Sequence, residues 1–399
     1  MPAEQILQTS IENLEYELLR GLKDLVQEGG AAIGMLMSRG EMAEDEGFGL
    51  VEALSEEFEV FKVPLEQANR VEDLDPFDVL LIMGPKEAYT ERERYFLDQY
   101  LMRGGHLVFA LDALAFDPDA LSAPEGTIAM PFDHGFDQML FRYGVRINKD
   151  LVQDLNFGLL PVYGGNFGNQ EQLVPLPWPF YVRVTQLAKH PVTKGLDPLL
   201  VRYVSSLDTV KAEGVRKTPL LFSSPYSFRE AAPVRLALSD AERAPDVERF
   251  QAGSLPLMYL LEGEFTSFYK NRFLPEGVDA AGFLEQGSRG RVLVTGSGSW
   301  FKSQRIGEGQ APLALGQSPL QVEDYDNRRF VQHLMQYLLE PEGMIASRAK
   351  EFRVRPLDKV RVQEERRYWQ GVNVLLPPLL MVLLGLGLVQ LRRMRYARR

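Results

Sequence analysis

The sequence has no cysteine among its 399 residues and only four histidines. The absence of cysteine excludes disulfide bonds, thiolate nucleophiles, and zinc or iron–sulfur sites built on thiolates. The histidines lie far apart and lack the spacing of a metal site: His106, His134, His190 and His333. An excess of basic residues is also missing, because the net charge is −11, and this argues against a nucleic-acid-binding protein.

Length and composition are those of a folded protein. The chain is long enough for one large domain or two ordinary ones. Its apolar residues make up 45% and its charged residues 25%, close to the average for globular proteins. Disorder and a fibrous repeat are therefore not expected.

One long hydrophobic run stands near the end of the chain. Residues 372–391 carry no charge, and Asn373 and Gln390 are the strongly polar members. About 20 apolar residues in a helix cross the hydrocarbon core of a bilayer, so the run predicts a transmembrane helix. Pro377 and Pro378 lie inside it and are expected to bend or locally unwind the helix. A buried core helix is the alternative.

Five arginines follow this run: Arg392, Arg393, Arg395, Arg398 and Arg399. Without these five, the 44 basic residues fall to 39 against 55 acidic ones, so the rest of the chain carries −16. Basic residues concentrate on the cytoplasmic side of membrane helices. We therefore expect a single-pass protein of the cytoplasmic membrane, with a basic cytoplasmic tail (392–399) and an acidic extracytoplasmic, periplasmic body.

Export of the body raises a question about the start of the sequence. Residues 1–30 contain no apolar core of a signal peptide. Their leucines recur at intervals of three and four, which predicts an amphipathic helix. We expect that an upstream membrane helix is missing or lies on another polypeptide, or that the orientation is the reverse.

Strand and helix patterns alternate through the body, predicted to span residues 31–340. Val79–Met83 is apolar at every position, as in a strand buried on both faces of a parallel sheet. Thr90 and Glu93 then match a capping box at a helix start. A strand from His106 completes a βαβ unit. The pattern predicts an α/β fold with a parallel sheet, an inserted β-rich lobe at about residues 112–290, and a connector at 341–371.

The order of these segments resembles the auxiliary component of gliding-motility-type ABC transport systems. The matching segments are residues 77–85, 103–106, 141–145, 151–154, 190–193, 291–300, 327–339 and 344–350, followed by the proline-containing helix and the arginine tail. The resemblance implies a body related to class I glutamine amidotransferases, which are flavodoxin-like. It also implies a permease and an ATPase as partners.

Catalytic chemistry is not expected. An amidotransferase needs a cysteine nucleophile, and no Gly-x-Ser-x-Gly elbow replaces it. The segment Gly296-Ser297-Gly298 follows a predicted strand, but it lacks both the phosphate-loop and the dinucleotide-binding patterns. We therefore interpret this segment as a tight turn. The sequence predicts no cofactor and no metal site.

A ligand site is predicted at the carboxyl ends of the parallel strands, where such sheets bind ligands. The residues expected at this edge are Ser38, Arg39, Glu41, Gly84, Pro85, Lys86 and Asp112. Arg39 and Lys86 are suited to an anionic group. Ordinary solvated loops are the alternative interpretation, because a position in the fold alone is an analogy.

The sequence thus predicts a non-catalytic, membrane-anchored accessory subunit of an ABC-type transporter. Its body would bind substrate or couple to the permease, with ATPase, permease and membrane lipid as partners and no nucleic acid. Two alternatives stay open: a cell-envelope scaffold or binding protein without a transporter, and a hydrolase on the same scaffold. The small-molecule or envelope ligand is not identified by the sequence.

Overall fold

The computed structural model describes residues 30–43, 45–167, 170–241, 245–305, 311–320, 322–339 and 359–396. The predicted N-terminal helix (1–30) and most of the predicted connector (341–371) lie outside these residues. The chain divides into two compact units. One unit contains the body, and the other contains the C-terminal helix. Each is described by itself.

The body begins with two strand–helix–strand units. Strands β1 (Ala32–Leu36) and β2 (Glu59–Val63) flank helix α1 (Phe48–Ser55), and strands β3 (Val79–Met83) and β4 (His106–Ala110) flank helix α2 (Glu91–Met102). The predicted capping box is present, since the Thr90 side chain accepts from Glu93 N–H and the Glu93 carboxylate accepts from Thr90 N–H. It satisfies backbone donors at the start of α2.

The chain from Leu114 to Leu339 supplies short strands and two more helices. In chain order these are β5 (Leu114–Ala115), β6 (Thr127–Pro131), α3 (Asp137–Tyr143), β7 (Val145–Ile147), β8 (Asp150–Asp154), β9 (Phe157–Phe167), β10 (Gln170–Val184), β11 (Gln186–Leu187), β12 (Leu199–Arg202), β13 (Leu207–Thr209), β14 (Val215–Phe222), β15 (Ser227–Ala231), β16 (Val234–Leu236), β17 (Pro256–Gly263), β18 (Phe265–Thr266), β19 (Gln286–Gly287), β20 (Arg291–Thr295) and α4 (Asn327–Leu339).

Within the described residues, eight strands form one large sheet in the order β11-β14-β17-β20-β4-β3-β1-β2. Strands β20, β4, β3, β1 and β2 run parallel to one another, whereas β11, β14 and β17 pair antiparallel, β17 also with β20. The order of the parallel part is that of flavodoxin-like doubly wound folds. The prediction of an α/β fold with a large sheet is confirmed, and the sheet is mixed rather than parallel throughout.

The stretch of chain that connects β4 to β20 also forms smaller sheets. They join β9, β10 and β12; β5, β6 and β16; β7 and β13; β8 and β15; and β18 and β19. The same stretch also supplies the three antiparallel strands of the large sheet. A separate inserted lobe at residues 112–290 therefore stays a prediction.

The large sheet divides the core into two layers, because successive strand residues face opposite sides. On one side, Ile33 and Leu81 pack in a cluster with residues of α1 and α4. On the other side, Leu80 and Ile82 pack in a cluster with residues of α2 and α3. A third cluster surrounds Trp178 among the smaller sheets. Helices on both faces bury the parallel strands and leave their carboxyl ends open for loops.

The C-terminal unit contains helix α5 (Lys359–Tyr396). Its segment Gln370–Arg392 is long and apolar enough to cross a membrane, with 23 residues, a mean hydropathy of 2.3 and none of its window buried. The helix continues through Pro377 and Pro378, so the local unwinding expected from the sequence is not observed. The apolar side chains are exposed, Met381 by 77%, so this segment is not a buried core helix.

Candidate functional site

The loops that follow β3, β4 and β20 meet at the carboxyl edge of the large sheet. Gly84 follows β3 with φ +60°, and its N–H donates to Ala110 O at 2.7 Å. A Cβ atom added to Gly298 would lie 2.8 Å from Gly84 Cα. Glycine at position 298 therefore allows the two loops to approach closely.

This approach places Asp112, which follows β4, against the turn after β20. The Gly298 N–H donates to Asp112 Oδ1 at 2.8 Å, and the Ser299 N–H donates to Ser297 Oγ at 3.1 Å. The turn 297–299 thus directs two of its amides to side chains of the protein. A phosphate-cradling loop would need such amides for its ligand, so a tight turn describes this segment better.

A cavity of about 590 Å³ opens at this edge. One part of its lining comes from the loops of the large sheet and contains Gly84, Lys86 and Asp112. The opposite part comes from the smaller sheets and their loops. A volume of this size lies in the range of small-molecule sites, roughly 300–1,000 Å³.

Three cations and two carboxylates line the cavity: Lys86, Arg202, Lys302, Glu46 and Asp112. The Lys302 ammonium pairs with Glu46 Oε2 at 3.2 Å. Burial raises the pKa of Asp112, and the Gly298 N–H and the Lys302 and Arg202 charges oppose that rise. Desolvation therefore dominates at Asp112, and its charge is less favoured here than in water.

Aromatic side chains supply the apolar part of the lining. The ring of Tyr203 meets that of Phe116 edge-on at 4.7 Å and that of Tyr181 at 5.5 Å. Tyr203 has φ +51°, in the left-handed region that side chains other than glycine seldom adopt. Burial raises the pKa of Tyr203, so its hydroxyl keeps its proton near neutral pH.

The structure brings together part of the predicted edge. Gly84, Pro85, Lys86 and Asp112 all line the cavity. Their role in binding a ligand stays a prediction.

The other predicted residues follow β1 and hold neighbouring elements instead of lining the cavity. Ser38 Oγ accepts from Leu65 N–H at 2.7 Å. Glu41 accepts from the Tyr89 hydroxyl and from Arg39 N–H. The Arg39 guanidinium forms a bidentate ion pair with the Glu93 carboxylate, with nitrogen–oxygen distances of 2.8–3.1 Å.

Sequence reasoning missed Glu46, Phe116, Tyr181, Arg202, Tyr203, Ser299 and Lys302 as residues of the cavity. Lys302 lies shortly after the turn that follows β20. Ligands bind beyond the carboxyl ends of parallel strands, so Lys302 could have been predicted once β20 was assigned to the sheet. Arg202 is the last residue of β12, a strand of a smaller antiparallel sheet, and Tyr203 follows it. No local pattern connects that strand to the large sheet.

Among the described residues, no group of three or more histidine, aspartate or glutamate side chains is arranged to hold a metal ion. The cavity instead offers cations, two carboxylates and aromatic rings. Such a lining suits a ligand with both polar and apolar parts.

Replacement of Arg39 by lysine should destabilise the body. The Arg39 side chain is 22% and that of Glu93 only 5% exposed, and lysine cannot reproduce the planar fork that binds both carboxylate oxygens. We expect Arg39→Lys to lower the free energy of unfolding by about 1.5 kcal/mol, the lower end of the range for a hydrogen bond to a charged group. Chemical denaturation of the full chain in detergent, followed by the fluorescence of buried Trp178 and Trp300, measures it.

Arg70→Lys is the matched control, because Arg70 is 74% exposed and lies 3.8 Å from Asp73. It should change the free energy of unfolding by less than about 0.5 kcal/mol. Equal effects of the two replacements would contradict the structural role of Arg39.

The chain resembles known proteins over most of its length. A protein of Borreliella burgdorferi, described as uncharacterized, is 23% identical over 300 residues, which is 73% of this chain and 54% of that protein. The chain thus spans about half the length of this relative.

Two solved structures share a weaker likeness. The mmIFT52 N-terminal domain is 14% identical, covers 78% of this chain and 99% of its own, and has a TM-score of 0.44. A ThuA-like protein from Bacteroides uniformis is 12% identical, covers 78% of this chain and 93% of its own, and has a TM-score of 0.35.

The family model described as ABC-type uncharacterized transport system matches residues 31–333. This range includes the large sheet, the smaller sheets and the cavity. The chain therefore belongs to this family of auxiliary components of ABC-type transport systems.

Proposed function

We propose that the protein is a membrane-anchored, non-catalytic accessory subunit of an ABC transporter of the gliding-motility type. Its α/β body, akin to that of class I amidotransferases, binds substrate or couples to the permease on the extracytoplasmic, periplasmic side. The observation that carries the proposal is the apolar segment Gln370–Arg392, joined to a body of a transport family. At 1.5 Å per residue a helix of this length extends about 35 Å, enough to cross the roughly 30 Å hydrocarbon core.

A binding role for the body fits the chemistry of the cavity better than catalysis. Its two carboxylates are engaged, Asp112 by the Gly298 N–H and Glu46 by Lys302. Cysteine chemistry is excluded by the sequence. A hydrolase would need an acid and a base free to exchange protons with a substrate. We therefore favour a ligand site whose occupancy is communicated to the transporter.

The full chain should co-purify with transporter components. Extracted from its native membranes in a mild detergent, an affinity-tagged chain should bring down a multi-span permease and an ATPase. Recovery of a clean monomer, with the permease present in the extract, would contradict the proposal. Co-purification of envelope proteins alone would favour the scaffold alternative.

The membrane anchor is tested by two charges at its centre. Arginine in the middle of a membrane helix costs about 2.5–3.5 kcal/mol on insertion scales. We therefore expect the double variant Leu383→Arg, Leu384→Arg to leave the membrane pellet after a carbonate wash. Leu383→Ile, Leu384→Ile keeps the hydropathy and should stay in the pellet. If the arginine variant also stays in the pellet, the segment does not span the membrane.

The orientation is tested by protease accessibility. Five arginines follow the apolar segment, and basic residues favour the cytoplasmic side. A protease added to intact cells with a permeabilised outer envelope should degrade the body and leave a tag on the C-terminus protected. Degradation of both only after cell lysis would place the body in the cytoplasm and overturn the orientation.

A further inference from the structure

Two cations in the cavity have no carboxylate partner among the residues that the structure describes. Of the three that line it, Lys302 pairs with Glu46, whereas neither Lys86 nor Arg202 forms an ion pair with a described residue. Several arginines elsewhere in the body pair with carboxylates, as Arg103 does with Asp75 at 2.7 Å.

A second cavity of about 620 Å³, beside α3, shows the contrast. Two of its three cations form ion pairs, Lys149 with Asp137 at 3.0 Å and Arg146 with Asp208 at 2.8 Å. The third, Arg272, lies over an aromatic ring at 3.9 Å. Each cation of this second cavity thus has a side-chain partner among the described residues, whereas Lys86 and Arg202 of the first cavity have none.

The Arg202 backbone is fixed by the turn after β20. Its N–H donates to Ser299 Oγ at 2.9 Å, and its carbonyl accepts from Ser297 Oγ at 2.8 Å. One guanidinium nitrogen, Nη2, donates to Lys302 O at 3.3 Å. A guanidinium has five N–H donors, so most remain available for a ligand. A group held in place before binding loses less entropy when a ligand binds.

An apolar surface lies in the same cavity. Phe116 and Tyr203 contact each other edge-on, and Tyr203 is held in its left-handed conformation while its N–H donates to Phe180 O at 2.9 Å. A backbone conformation of this kind is unfavourable and persists where the surroundings enforce it. Strain of this kind gathers at sites that bind ligands.

We propose that this cavity binds a small organic anion, with one acidic group, a carboxylate or phosphate, held by Lys86 and Arg202 and a flat apolar part against Phe116 and Tyr203. The volume of about 590 Å³ exceeds what an inorganic anion fills. The carboxylates Asp112 and Glu46 disfavour a second acidic group. The inference rests on the proposed function, since it names the class of ligand that the body of the accessory subunit takes.

Isothermal titration of the full chain in detergent with four probes tests the chemistry. Phenyl phosphate and benzoate carry an acidic group and a ring, inorganic phosphate carries only the acidic group, and benzyl alcohol carries only the ring. At least one of the first two should bind tenfold or more tightly than both single-feature probes. Which of the two binds more tightly distinguishes a phosphate from a carboxylate ligand. Equal affinity for all four, or no binding of either acidic ring probe, overturns the inference.

Variants assign the acidic group to its residues. Arg202→Gln and Lys86→Gln should each weaken the binding of the better acidic ring probe by about tenfold, the effect of a lost charge-assisted hydrogen bond. Neither should change the binding of benzyl alcohol. Lys86 is exposed, so its replacement leaves the packing of the body intact even if Arg202→Gln destabilises it.

Lys211→Gln is the matched control, because Lys211 is 88% exposed, pairs with Glu213 and lies outside the cavity. It should leave all four affinities unchanged. Wild-type affinity of both cavity variants for the acidic ring probe would overturn the inference. If that happens while the variants still co-purify with permease and ATPase, the assignment of the ligand fails and the proposed function stands.

Discussion

The arrangement of the loops at the carboxyl edge of the large sheet depends on the close contact between two glycines. A Cβ atom at Gly298 would lie 2.8 Å from Gly84 Cα and 3.1 Å from Asp112 Oδ2, so a larger residue would separate the loops after β3 and β20. This contact lets the Gly298 amide reach Asp112. It also orients the turn whose serines hold the backbone of Arg202. One steric constraint thus connects the large sheet to the cationic part of the cavity.

The cavity lining has more cations than carboxylates, whereas the protein as a whole has a net negative charge. An acidic chain offers every exposed cation many possible carboxylate partners, and pairs such as Arg328 with Glu56 use them. Lys86 and Arg202 line a cavity whose own carboxylates are engaged by Lys302 and by a backbone amide. Arg202 also acts on the buried Asp112, but three cations against two carboxylates leave the lining with a positive balance of charge and a positive potential. In a concave site with low-dielectric walls, such a potential attracts anions.

Local patterns predicted the parallel part of the sheet well, because a fully apolar strand and a capped helix each carry their structure in a few adjacent residues. The position of Lys86 and Asp112 at the cavity followed from the same strands. Contacts between distant residues were beyond such patterns. Arg39 was expected to meet an anionic ligand, but Glu93, 54 positions away, takes its guanidinium. Arg202 lies at the cavity because β12 pairs antiparallel with β10. No short-range pattern in the sequence indicates this pairing.

The cavity is built from two separate sets of strands. Lys86 and Asp112 come from loops of the large sheet, while Arg202 ends a strand of a smaller sheet and Tyr203 follows it. A ligand that contacts both sets gains its full binding energy only when the two are correctly placed. A ligand shifts a conformational equilibrium only by its difference in affinity for the two states. A ligand held between the two sets of strands would therefore favour the arrangement in which both sets contact it.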